Sequence, residues 1–153
     1  MAIKRIGQIL IDLGLIEENQ LGSMLEAQAA RGGELLGRVG VTLGFYSEEQ
    51  LGEALAEQWS TSFVTLYDRQ IAPEVLRLIS EPMAQLYRVV PLELSGSRLT
   101  IASAEPQKIQ IADELRTLLG YDIQVCVATE SEIAKAVDKL YAAAARASSA
   151  SRS

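Results

Sequence analysis

The feature that most constrains this sequence is that its first third is written twice. RIGQILIDLGLIEENQLGSMLEAQ (Arg5 to Gln28) aligns with LLGRVGVTLGFYSEEQLGEALAEQ (Leu35 to Gln58) at an offset of 30 residues, with nine of 24 positions identical. A block repeated at such a short period is one supersecondary unit used twice, the two copies stacking to bury a face that neither can bury alone. Within the first copy Ile6, Ile9, Leu10 and Leu13 fall at i, i+3, i+4 and i+7, the spacing of one helical face. Gly14 follows directly and Gly44 repeats it, as suits the left-handed residue that ends a helix. Ser47 with Gln50 three residues on forms a capping box, and Leu51, Ala54 and Leu55 continue with helical spacing. Glu17 holds the Ser47 position in the first copy, where its charge suits the helix dipole. Four short helices are therefore predicted in residues 4 to 59, with Ile9, Leu10, Leu13, Leu21 and Leu25 in their core.

From Thr61 the pattern changes. SFVTL and YRVVPLEL read as strands, with PEVLRLIS between them as a short helix opened by Pro73. Two apolar-rich runs flank Ser95-Gly96-Ser97, which predicts a β-hairpin of Val89 to Leu94 and Arg98 to Ser103. A helix over Ile109 to Leu119, a strand in DIQVCVA and a helix from Glu130 to about Ala144 complete the reading, with Thr129 as N-cap and Glu132 as its box partner. The predicted fold is α+β: a four-short-helix subdomain made of a tandem helical-hairpin repeat (1–60), then a small α/β sandwich subdomain (61–143). A flexible tail (144–153) of small and polar residues is expected to follow.

The chain of 153 residues is 48% apolar, enough for a genuine core, and its formal charge is −6. That charge argues against DNA or RNA as partner, because phosphate backbones are held by clustered Lys and Arg. Residues 1–60 carry four basic groups (Lys4, Arg5, Arg31, Arg38) against nine acidic ones. A phosphate-bearing ligand there needs individually placed arginines and backbone amides. A helix-turn-helix reading of the repeat fails on the same ground, since neither second helix has a basic face. Cys126 has no partner for a disulfide, the N-terminus lacks the pattern of a secretory signal, and no apolar run is long enough to cross a bilayer. A cytoplasmic location is expected, with any membrane reached only through a partner. The chain has no histidine and no GxxxxGK[ST] phosphate loop, so no enzyme activity and no cofactor are expected.

The tandem block resembles the MshEN domain, the N-terminal domain of type II secretion and type IV pilus assembly ATPases, here without the ATPase. That family carries two copies of a motif close to RLGxxLLxxGLIxxxxLxxxLxxQ, matched in register by Arg5, Ile6, Gly7, Ile9, Leu10, Gly14, Leu15, Ile16, Leu21, Leu25 and Gln28. LTIASAEP (Leu99 to Pro106) is similar to its later LxxAxxxP segment. The resemblance implies a cyclic di-GMP receptor. Arg5 would contact guanine or phosphate, Gly7 and Gly14 would shape the backbone, Ile9 and Leu10 would pack on the ligand, and Gln28 would close the motif. Gly37, Gly44 and Gln58 are the corresponding residues of the second copy. That copy departs from the motif at Leu35, where Arg is wanted, and at Gly40, where a large aliphatic residue is wanted; Arg38 is the substitute charge. The resemblance also implies a protein partner in a secretion, pilus or motility machine. The alternative is a protein-docking module with no nucleotide ligand, in which the glycines set turns, the aliphatic residues form core, and Gln28 and Gln58 bond backbone.

Overall fold

A computed structural model describes residues 5–32, 34–67 and 69–150, with residues 147–150 described through their backbone only. The chain divides into two compact units that meet between Ser62 and Phe63.

The first unit holds four helices, α1 (Ile6–Asp12), α2 (Glu18–Arg31), α3 (Leu36–Thr42) and α4 (Glu48–Gln58). α1 and α3 stop in the same way. Gly14 and Gly44 take φ of +76° and +81°, a conformation that costs glycine little and other residues more. Gly14 N donates to Ile11 O at 2.9 Å and Leu15 N to Leu10 O at 3.0 Å, while Gly44 N and Phe45 N donate to Val41 O and Gly40 O at 3.0 and 2.9 Å. These are paired Schellman turns, which satisfy carbonyls that a helix end otherwise leaves open. The starts of α2 and α4 also match: Glu17 N donates to Gln20 Oε1 at 2.8 Å, and Ser47 N to Gln50 Oε1 at 2.9 Å. Ser47 Oγ adds the reciprocal bond from Gln50 N at 3.1 Å.

The copies interlock rather than standing as separate hairpins, because α1 packs on α4 and α2 on α3. Ile9, Leu10, Ile16, Met24, Val39, Tyr46, Leu51 and Leu55 are buried. Two expected core positions are not: Leu13 and Leu25 are each 49% exposed. Leu13 is the C-cap of α1, the last helical residue before the Gly14 turn, and the buried position of α2 is Met24 instead.

The second unit runs α5 (Pro73–Leu76), α6 (Glu81–Tyr87), β1 (Val89–Ser95), β2 (Arg98–Ser103), α7 (Ile109–Leu119), β3 (Asp122–Val127) and α8 (Glu130–Ala150). The sheet order is β1-β2-β3. β1 and β2 pair antiparallel from Val89↔Ser103 to Ser95↔Arg98, with a bulge between Pro91 and Glu93. Gly96, at φ +60°, opens the tight turn between them. β2 and β3 pair parallel from Arg98↔Asp122 to Ser103↔Val127, so α7 is the crossover that a parallel pair requires. Ile79, Val89, Val90, Leu99, Ile101 and Leu115 are fully buried at the centre of this unit.

Three elements differ from the sequence reading. SFVTL forms no strand beyond one bridge, Phe63↔Val127. Its backbone groups go elsewhere: Val64 N donates to Val127 O at 2.8 Å, and Leu66 N to Glu132 Oε1 at 3.2 Å. Glu132 N in turn donates to the Thr129 cap, at 3.1 Å from Oγ1. Helix α6 was not expected. It starts at Ser80, whose Oγ accepts from Met83 N at 3.3 Å, and ends at Arg88 in the left-handed region at φ +54°. Finally, α8 does not end near Ala144 but runs to Ala150, as its alanine run favours. The remainder of the expected tail, 151–153, lies outside the described residues. The Tyr141 hydroxyl anchors α8 by donating to Ile79 O at 2.6 Å, and burial pushes its pKa up to about 12. Among the described residues no helix is long and apolar enough to cross a membrane.

Candidate functional site

The tandem motif is the candidate, and the ten motif residues divide by exposure. Arg5 is exposed at the N-cap of α1, its carbonyl accepting from Gln8 N and Ile9 N at 3.1 and 3.2 Å. Among the described residues no carboxylate pairs with its guanidinium. Gly14 and Gly44 are exposed at their turns, and a Cβ built on either would meet nothing within 4 Å. Leu13 and Leu43, one residue before each, are exposed as well. Each copy therefore displays a leucine and an open left-handed glycine, on which an apolar ring face can settle close to backbone.

The other motif glycines face inward. A Cβ on Gly7 would lie 3.0 Å from Leu21 Cδ1, and one on Gly37 would lie 2.6 Å from Leu51 Cδ1. They let the first helix of each copy close onto a leucine of the second. Ile9 and Leu10 are buried at 4% and 0% exposure. Gln28 is half-buried, and its Nε2 donates to Glu34 O at 2.9 Å, fastening the connection between the copies. Its counterpart Gln58 is half-buried at the end of α4.

The second copy's departures have distinct consequences. Leu35 is the N-cap of α3, the position Arg5 holds for α1, and it brings no charge. Arg38, one turn further along α3, places Nη1 3.2 Å from Glu48 Oε1 in the first turn of α4. Gly40 is compensated. A Cβ there would fall 2.2 Å from the Tyr46 hydroxyl oxygen, and that hydroxyl donates to Gly37 O at 2.7 Å. The tyrosine ring thus fills the volume that Leu10 fills in the first copy, where Ile16 stands in place of Tyr46. Burial raises the Tyr46 pKa well above the ordinary tyrosine value, and Arg38 only partly offsets this. The exchange was open to reading from the repeat alignment, in which one mate shrinks while the other grows. The exposure of Leu13 and Leu43 had no such signal.

Known proteins share the sequence and the fold of this chain. The family model of the MshEN domain matches residues 59–147. The type IV pilus assembly ATPase PilB of Myxococcus xanthus is 31% identical over 138 residues, which are 90% of this chain and 24% of that protein. PilB of Thermus thermophilus is 30% identical over 94 residues, 58% of this chain and 11% of that protein. The chain thus spans a quarter or less of the length of these relatives. The structure of MshE with cyclic di-GMP superimposes with a TM-score of 0.81 at 31% identity, covering 89% of this chain and 98% of that one. Coverage so broad exceeds either unit alone and includes the tandem-motif helices. The N-terminal domain of XpsE shares the fold, with a TM-score of 0.70 at 22% identity over 88% of this chain and 92% of that one. By its α/β unit, its repeat and these relatives, the chain belongs to the MshEN domain family.

Proposed function

We propose that the helical unit is a receptor for cyclic di-GMP and that the chain works, without catalysis of its own, as a cytoplasmic regulatory module of a pilus, secretion or motility machine. The observation that carries this reading is the 31% identity over 89% of the chain to MshE, solved with cyclic di-GMP. The local geometry supports it: Arg5 is exposed with no carboxylate partner among the described residues, and the two glycine turns stand open next to exposed leucines. Arginine suits both halves of such a ligand, since its planar fork pairs with the O6 and N7 edge of guanine and with phosphate.

The gap at Leu35 favours a second reading, a protein-docking module with no nucleotide ligand. Removing one charge-assisted contact costs on the order of 1.5 to 3 kcal/mol, roughly ten- to a hundredfold in affinity. Calorimetric titration with cyclic di-GMP, with GTP and cyclic GMP as controls, separates the two. Saturable binding at micromolar concentration or tighter, lost in a folded Arg5→Asp variant, is the expected result. No heat at millimolar ligand, or binding indifferent to Arg5→Asp, overturns the receptor reading.

A further inference from the structure

The second unit contains a cavity of about 350 Å³ bounded by α6, the exit of β2 and the first turns of α8. Its existence follows from small residues: Ala84, Ala104 and Ala134 come from three different segments, and none reaches across the space they enclose. Ile133 and Val137 form an apolar floor. The volume lies at the low end of the range for specific small-ligand sites, which starts at about 300 Å³.

The rim is charged and unbalanced. Glu105, Glu130 and Asp138 stand there against a single cation, Arg88. Arg88 is engaged with Glu130, and it occupies the left-handed C-cap of α6 at φ +54°, where glycine or asparagine would sit with less strain. A guanidinium stands at this strained position and bridges α6 to the start of α8. Glu105 is paired with Lys108 at 2.9 Å. Asp138 makes no ion pair among the described residues. The N-terminal dipole of α8, which would otherwise draw an anion, is met by Glu130 and Glu132 in its first turn.

The geometry points to a docking site for a partner segment that presents an apolar side chain next to an arginine or lysine. The apolar group occupies the alanine-walled cavity, and the cationic head lies at the rim on Asp138. A long cationic side chain suits such a site because its methylene stem can cover apolar surface while its charge stays in water. Charge complementarity of this kind selects among partners and fixes register more than it adds affinity. The site is in the α/β unit and stands apart from the ligand reading of the tandem motif.

The test is a two-dimensional amide NMR titration of the whole chain with N-acetyl-leucyl-arginine amide. N-acetyl-leucyl-citrulline amide serves as the uncharged isostere and N-acetyl-leucyl-glutamate amide as the opposite charge. Saturable shifts centred on Ala84, Ala104 and Ala134 are expected with the arginine probe, with the citrulline probe about fivefold weaker. Asp138→Asn should remove that difference while leaving citrulline binding unchanged. Ala134→Met, at an exposed helical position that tolerates methionine, should fill the cavity and abolish binding of both with the spectrum otherwise intact. Shifts that do not saturate or do not centre on the cavity overturn the proposal. So does tighter binding of the glutamate probe, which would make Arg88 the recognising group and the partner anionic.

Discussion

Gly40 and Tyr46 form one unit of design, and either alone is wrong for its place. With Tyr46 retained, Gly40→Leu drives a side chain into the tyrosine, whose hydroxyl oxygen is already 2.2 Å from the added Cβ, an overpacking expected to cost about 1–3 kcal/mol or more. With Gly40 retained, Tyr46→Ile empties that volume and leaves Gly37 O without its 2.7 Å donor, a loss of about 2 kcal/mol. The double variant rebuilds the Leu10/Ile16 pair of the first copy. A denaturant double-mutant cycle should therefore give a favourable coupling of about 1–3 kcal/mol; additivity would show that the two residues do not share one site. The tyrosines also set an alkaline limit. Unfolded tyrosine ionises near 10.0, whereas burial pushes folded Tyr141 up to about 12. Between those values the unfolded chain has released a proton that the folded chain still holds. The stabilisation is complete below pH 10 and is lost as pH rises through 12. Chemical unfolding followed from neutrality upward should be flat to about pH 10 and then fall by on the order of 2 kcal/mol from Tyr141. In Tyr141→Phe this part of the fall should vanish.

At the scale of elements, helix ends carry most of the local specification. Gly14→Ala and Gly44→Ala meet no neighbour within 4 Å, so their cost is backbone strain alone, about 1 kcal/mol each. Ser47→Ala should cost about as much by removing the bond to Gln50 N. Thermal melts of the three variants check both figures, and a Gly14→Ala loss far larger than Ser47→Ala would mean that the turn is packed rather than open. The same signals made the helical unit legible: glycine after an apolar stripe and a capping box before one state where helices stop and start. The hairpin, α7 and β3 were legible for similar reasons. α6 was hidden because its composition misleads. Its large residue Leu86 is 75% exposed, while its inner face is only Met83, Ala84 and Tyr87, too short a set to show a helical period. SFVTL misled in the opposite sense, since its β-branched and aromatic residues suit a strand but a glutamate carboxylate takes the amide of Leu66. Within the motif, the repeat pattern names the candidate residues but does not say which glycines face out. That depends on where Leu21 and Leu51 arrive from the second helix of each copy.

For the molecule as a whole, the two units differ in how they can be divided. The main apolar cluster, from Leu66 through Ile101 and Leu115 to Tyr141, lies wholly within the second unit. Among the described residues its strands pair with each other and with Phe63. A fragment of residues 63–150 has its own core and is large enough to fold alone, so it should melt cooperatively and give a dispersed amide spectrum. The tandem unit cannot be halved in the same way despite its duplicated sequence. α1 packs on α4 and α2 on α3, so each copy completes the other's core, and Gln28 Nε2 binds Glu34 O across the joint. A peptide of residues 5–32 keeps both of its helices but loses the surfaces they bury against. Helices of 7 and 14 residues are marginal in water without tertiary packing. It should show little helix by circular dichroism, as should residues 34–62, while an equimolar mixture of the two should gain helicity with increasing concentration. Substantial helix in either peptide alone at low concentration would mean that the repeat is a pair of autonomous hairpins rather than one interlocked fold.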